Sequence, residues 1–254
     1  MREIVYTALP GIPEIERDAP LARLLLEALA RIDRRLADGD VLVLAQKIVS
    51  KAEGRRVSLA SVMPGPRAHE LAAETGKDPR LAELILREAR EVLRVKRGVI
   101  IVEHRLGFVM ANAGIDRSNV PAGADEESVL LLPEDSDASA VRLRDELRAA
   151  CGADVGVVIN DSFGRAWRNG VAGVAIGVAG IPALVDLRGA ADREGRALAV
   201  TQVAAADELA AGASLLMGQA AESTPAVLVR GFPYAAREGS ARELVRPRAE
   251  DLFR

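Results

Sequence analysis

An α/β or α+β fold, with mixed sheets and flanking helices, is what this sequence predicts. Three observations carry that prediction. Short runs of consecutive apolar residues suit buried strands, longer stretches repeat apolar residues three and four apart, and the two patterns alternate along the chain. Composition agrees: the 254 residues are 49% hydrophobic and 28% charged, which leaves ample apolar surface for a core. Such a length suits a single domain, or two intimately packed lobes, over residues 1–254.

The elements follow in order. A first helix is predicted after Asp18 and Pro20, because Leu21, Leu24, Leu25, Ala28, Leu29, Ile32 and Leu36 share one face. Asp38-Gly39-Asp40 ends it and opens a buried strand, Val41 to Leu44. Asp78-Pro79 starts a second helix with Leu81, Leu84, Ile85 and Val92 inward. Gly98 to Val102 reads as a strand that turns near Arg105-Leu106-Gly107 and returns as Phe108-Val109-Met110. Ser136 caps a third helix through Leu147, and Val155 to Ile159 is a strand ending in the polar run Asn160 to Arg165. The valine- and glycine-rich run Val171 to Ile181 suits strands packed closely on other backbone. A last helix ends over Leu209 to Met217, and Ala226 to Val229 is a closing strand. The pattern leaves strand order open.

Charge and punctuation exclude several functions. With 34 basic and 37 acidic residues the net charge is −3, so no nucleic-acid partner is held by bulk electrostatics. Charges at Arg2, Glu3, Glu14, Glu16, Arg17 and Asp18 leave no room for a signal-peptide core. The longest uncharged stretch, Val171 to Val185, is broken by three glycines and Pro182, so no membrane span is expected and the predicted location is cytoplasmic. A single cysteine, Cys151, excludes an internal disulfide and a multi-cysteine zinc site, fits a reducing compartment and reads as structural.

Three polar clusters stand at the ends of apolar strands, where α/β folds commonly place ligands. In Ala45 to Arg55, Lys47, Lys51 and Arg55 suit phosphate oxygens, although a solvated basic helix end has the same composition. No GxxxxGK[ST] loop is present. In Ala111 to Asn119, Asp116 and Asn119 offer oxygens to a hard cation, while the segment by itself reads more readily as a turn. In Asn160 to Gly170, Asp161 and Ser162 suit one metal and the arginines suit an anion. Trp167 is expected as a packing residue, and His69 and His104 as surface residues.

ALPGI, QKIVSKAEGR, ANAGIDRSN, NDSFGRAWRNGVAGVAIGVAGI and MGQAAESTPAVLVRG occur in that order from Leu9 to Gly231. This series resembles the coenzyme F420-0:L-glutamate ligase family, the γ-glutamyl ligases of deazaflavin coenzyme biosynthesis. The resemblance implies an enzyme that uses GTP to join L-glutamate to the carboxylate of coenzyme F420-0 through an acyl phosphate. It further implies magnesium or manganese, potassium as an activator, and a homodimer of an unusual mixed α/β fold, without the C-terminal flavin domain of some members. By motif, nucleotide contacts fall on Leu9, Pro10, Gly11, Ile12, Gln46, Lys47, Lys51 and Asn119, and on the run Met217, Gly218, Gln219, Ala220, Ala221, Glu222, Ser223 and Thr224. Metal ligands fall on Asp116 and Asp161, with Ser162 and Gln219 at a second metal.

Where many archaeal members carry Ser-Thr, Thr and Glu, this chain carries Gln46-Lys47, Ser162 and Gln219, and a neutral Gln219 is a weaker metal ligand than a carboxylate. The resemblance names no catalytic side chain and no proton acceptor for the glutamate amine. Two alternatives stand beside it: a related ligase acting on another carboxylate or amino acid, and a non-catalytic ligand-binding dimer.

Overall fold

Strands drawn from both ends and the middle of the chain build the central sheet. The computed structural model describes residues 3–116 and 127–252. Its first half runs β1 (Val5–Ala8), α1 (Leu21–Ala30), β2 (Val41–Ala45), α2 (Gln46–Ala52), β3 (Arg56–Ser58), α3 (Pro66–Thr75), α4 (Pro79–Glu88), β4 (Ala89–Lys96), β5 (Val99–His104) and β6 (Val109–Ala111). Its second half runs β7 (Ser128–Leu130), α5 (Ser136–Cys151), β8 (Gly156–Arg165), β9 (Arg168–Ala179), β10 (Val185–Asp186), β11 (Gln202–Val203), α6 (Ala205–Met217) and β12 (Ala226–Arg230).

The five-stranded sheet has the order β1-β12-β2-β8-β9, with β2 and β8 parallel and the other neighbours antiparallel. The side chains of Val41 to Leu44 in β2 are fully buried. Burying each such side chain stabilises the fold by roughly 1.5–3 kcal/mol, which is why an all-apolar tetrapeptide takes the middle of the sheet. Helices α5 and α6 pack against β8 and β9 at glycine. A Cβ on Gly173 would lie 2.4 Å from the Ala210 carbonyl oxygen of α6, and one on Gly177 would lie 2.3 Å from that of Ser136 in α5. The valine- and glycine-rich run therefore packs on backbone, as expected.

A second apolar cluster gathers Leu71 of α3, Leu81, Leu84 and Ile85 of α4, and Ile100 and Val102 of β5. The sheet β4-β5-β6 and the pair β3-β7 belong to it. Between the two clusters lies a partly buried polar knot. Arg55 donates to Glu88 from 3.1 Å and to the Leu132 carbonyl from 2.8 Å, and Arg105 donates to Glu88 from 3.0 Å. His104 is fully buried, with its Nε2 at 3.5 Å from Glu88, while its Nδ1 accepts from the Leu106 N–H. It is not the surface residue the sequence led us to expect.

Other boundaries moved for local reasons. Helix α1 stops at Ala30, where turns at Ile32 and Asp33 take over. Val92 lies in β4 and not in the preceding helix, because α4 ends at Glu88 and Ala89 is already extended. Asp135, not Ser136, caps α5 by accepting from the Ala138 N–H at 3.0 Å. The polar run Asn160 to Arg165 does not end its strand: β8 continues through it as one arm of a hairpin with β9. Among the described residues no helix is long and apolar enough to cross a membrane.

Candidate functional site

The register of the sheet brings distant segments to one edge. Ala45 at the end of β2 pairs with Asn160 of β8, so α2 begins at Gln46 beside Asp161. The Ala45 N–H donates to the Pro225 carbonyl and the Leu9 N–H to that of Ala226. The segments after β1, β2 and the start of β12 thus meet at the carboxyl ends of parallel strands, a common place for ligands in α/β sheets. Opposite Ile159 and Asn160, just before Asp161, β9 carries an extra unpaired residue, Ile176. Bulges break the ladder locally, and here Asp207 of α6 accepts the N–H of Ala175, next to the bulged residue, at 2.9 Å.

Asp116 arrives from the other cluster. Asn112 and Ala113 both adopt positive φ (52° and 53°), and the Asn112 side chain accepts the Ile100 N–H at 3.1 Å. Non-glycine residues in this region store local strain, which is common beside ligand sites. Asp116 then exchanges backbone hydrogen bonds with Leu130 of β7.

These elements enclose a cavity of about 1250 Å³. Gln46, Lys47, Asp116, Asp161, Ser162 and Gln219 all line it. Lys47 Nζ lies 2.6 Å from Asp116 Oδ2. Burial pushes the Asp161 carboxyl up to about 6, and the charge of Asp116 adds to that, while the Ser162 N–H and Lys47 oppose it. Two carboxylates, a hydroxyl and an amide oxygen are hard donors of the kind magnesium and manganese accept, with lysine as a second source of positive charge. Among the described residues no group of three or more His, Cys, Asp or Glu side chains could hold a metal.

Other expected residues lie elsewhere. Lys51 Nζ pairs with Glu14 at 2.5 Å and does not line the cavity. Leu9 is fully buried, Pro10 and Gly11 are exposed, the Gly11 carbonyl accepts from Arg31 at 2.6 Å, and none of Leu9 to Ile12 lines the cavity. Of the run Met217 to Thr224 only Gln219 lines the cavity. Met217 is buried, and the exposed loop after it is tied by Glu222, which accepts the Ala220 N–H at 2.8 Å. Asn119 lies outside the described residues.

Sequence reasoning missed part of the lining. Phe108 and Phe163 pack edge to face in the cavity wall, with centroids 6.1 Å apart, and Arg94, Val245 and Arg246 add to that wall. No local pattern marks these last three, which tertiary structure alone assembles. Trp167 also lines the cavity and is 88% exposed, which corrects its expected role as a packing residue.

A family model described as F420-0:gamma-glutamyl ligase matches residues 11–231. A protein of Methanothermobacter thermautotrophicus named coenzyme F420:L-glutamate ligase is 46% identical, over 96% of this chain and 96% of its own. Proteins of the same name from Methanopyrus kandleri and Halobacterium salinarum are 50% and 47% identical, over 92% and 97% of this chain and 91% of each relative.

Proposed function

Because the chain belongs to the F420-0:gamma-glutamyl ligase family, we propose that it adds L-glutamate to the carboxylate of coenzyme F420-0 at the expense of GTP. The relatives' shared name supports glutamate ligation in coenzyme F420 biosynthesis. The observation that supports this particular site is the convergence of Gln46, Lys47, Asp116, Asp161, Ser162 and Gln219 on one cavity.

In this reading the acceptor carboxylate attacks the γ-phosphorus of GTP and GDP leaves. The glutamate amine then attacks the acyl phosphate, phosphate leaves, and one proton is released. Such chemistry needs positioning and charge neutralisation more than a nucleophilic side chain. Lys47 pairs with Asp116 and opposes the rise of the Asp161 carboxyl, and in this reading its ammonium would also meet phosphate oxygens. Asp116 and Asp161 would hold magnesium or manganese, with Ser162 and Gln219 within the same wall for a second ion. Bound there, the metal would supply charge neutralisation for the phosphates. Potassium activation, nucleotide contacts from Leu9 to Ile12, Lys51, Asn119 and the 217–224 loop, and a homodimeric state belong to the same proposal.

Mass spectrometry tests it. Incubation with coenzyme F420-0, glutamate, GTP and manganese should add the mass of one or more glutamyl units, and ATP should support less product. An unchanged acceptor mass would refute the ligase reading. Equal turnover with ATP would remove only the GTP preference.

A further inference from the structure

Resting on the ligase reading, we propose that the outer part of the same cavity is a cradle for the planar ring of the acceptor, with Trp167 as its stacking platform. Ligand pockets usually enclose ~300–1,000 Å³. The cavity here, about 1250 Å³, has room beyond a single substrate. Its lining also changes character along β8. Asp161 and Ser162 stand at the inner end, Phe163 follows, and Arg165 and Trp167 stand at the hairpin tip. Four residues of strand place Arg165 about 13 Å from Asp161, a span that accommodates a ring system and part of a side arm.

The outer part suits a planar aromatic polyanion. Phe108 and Phe163 give it an apolar floor with edge-to-face geometry. Arg165 and Arg168 flank Trp167 at the hairpin tip, and Arg94 and Arg246 line the same cavity, whose carboxylates are Asp116, Asp161 and Asp251. Trp167 is the chain's one tryptophan, sits 88% exposed, and is held at φ 63° by the turn between β8 and β9. An indole this exposed on a cavity rim offers an aromatic face that a flat ring would cover, while neighbouring guanidinium groups meet its anionic arm.

The lone tryptophan reports on its own role. Coenzyme F420-0 added without GTP or glutamate should quench Trp167 emission saturably, whereas GTP alone should leave it unchanged. Trp167→Ala should raise the KM for the acceptor roughly tenfold with the KM for GTP unchanged, and Trp167→Phe should recover most of the loss. Quenching without glutamyl transfer would support the cradle and sink the ligase reading. Transfer by the wild-type protein with unquenched Trp167, or a wild-type acceptor KM in Trp167→Ala, would overturn the cradle and leave the ligase reading intact. Apo emission typical of a buried indole would also overturn it.

Discussion

Asp161 stands just past a β-bulge in the partner strand β9, shares a cavity with Asp116, and carries a carboxyl pushed up to about 6 by burial. Asparagine matches its size without its charge. Asp161→Asn should therefore lower glutamyl transfer roughly a hundredfold or more while leaving the metal-free protein at least as heat-stable. Near-normal transfer at limiting manganese would move the metal to other oxygens. Glu88 behaves in the opposite sense. Burial alone would raise its carboxyl, but His104, Arg105 and Arg55 outweigh that and hold it at about 2. Its folded value lies below the ordinary 4.5, so its stabilisation is complete above that pH and lost as pH falls through about 2. Denaturant titrations should show ~3 kcal/mol lost across that window. Glu88→Gln should remove that pH dependence and, by leaving the half-buried Arg55 and Arg105 without their carboxylate, destabilise at neutral pH. A variant with the same acid slope as the wild type would refute the assignment.

At the level of elements, the helix–sheet contacts at Gly173 and Gly177 leave no room for a side chain. In Gly177→Ala the new methyl would press on the Ser136 backbone at the start of α5, so a loss of about 1–3 kcal/mol is expected in chemical denaturation. An unchanged midpoint would mean that α5 yields freely. The glycine pattern made this packing legible in the sequence, as four buried valines and leucines in a row made β2 legible and Val157-Val158-Ile159 the inner part of β8. Asn160 to Arg165 was not legible as strand, because hydrogen bonding to β9 and not burial keeps it extended. Val92 fits a helical face and a strand equally well, and the extended backbone from Ala89 decides between them. Asp116 and Asp161 were identifiable by motif, but their shared cavity depends on the pairing of β2 with β8 and of Asp116 with Leu130, which no local pattern contains. Lys51 was legible only as a residue type that suits phosphate; its pairing with Glu14 is a contact across 37 residues that no local pattern contains.

Over the whole molecule, the outer half of the β8–β9 hairpin runs beyond the neighbouring strand, since β2 pairs only as far as Asn160. Val171 is exposed on the β9 edge of this ribbon. Unpaired strand edges favour association. Sedimentation equilibrium should find a dimer at micromolar concentration, and a monomer would remove that part of the proposal. The sheet order also sets a timetable for biosynthesis. Strand β2 is flanked by β8 and β12, and β12 is the last strand of the chain to be made. At ~5–20 residues per second, β2 waits roughly 10–40 s on the ribosome for β12 to cover its open side. During that interval the most apolar strand of the protein presents bare N–H and C=O groups to every other nascent chain nearby. The carboxyl edge that gathers the candidate ligands is unfinished for as long, so aggregation and the completion of the site compete for the same seconds.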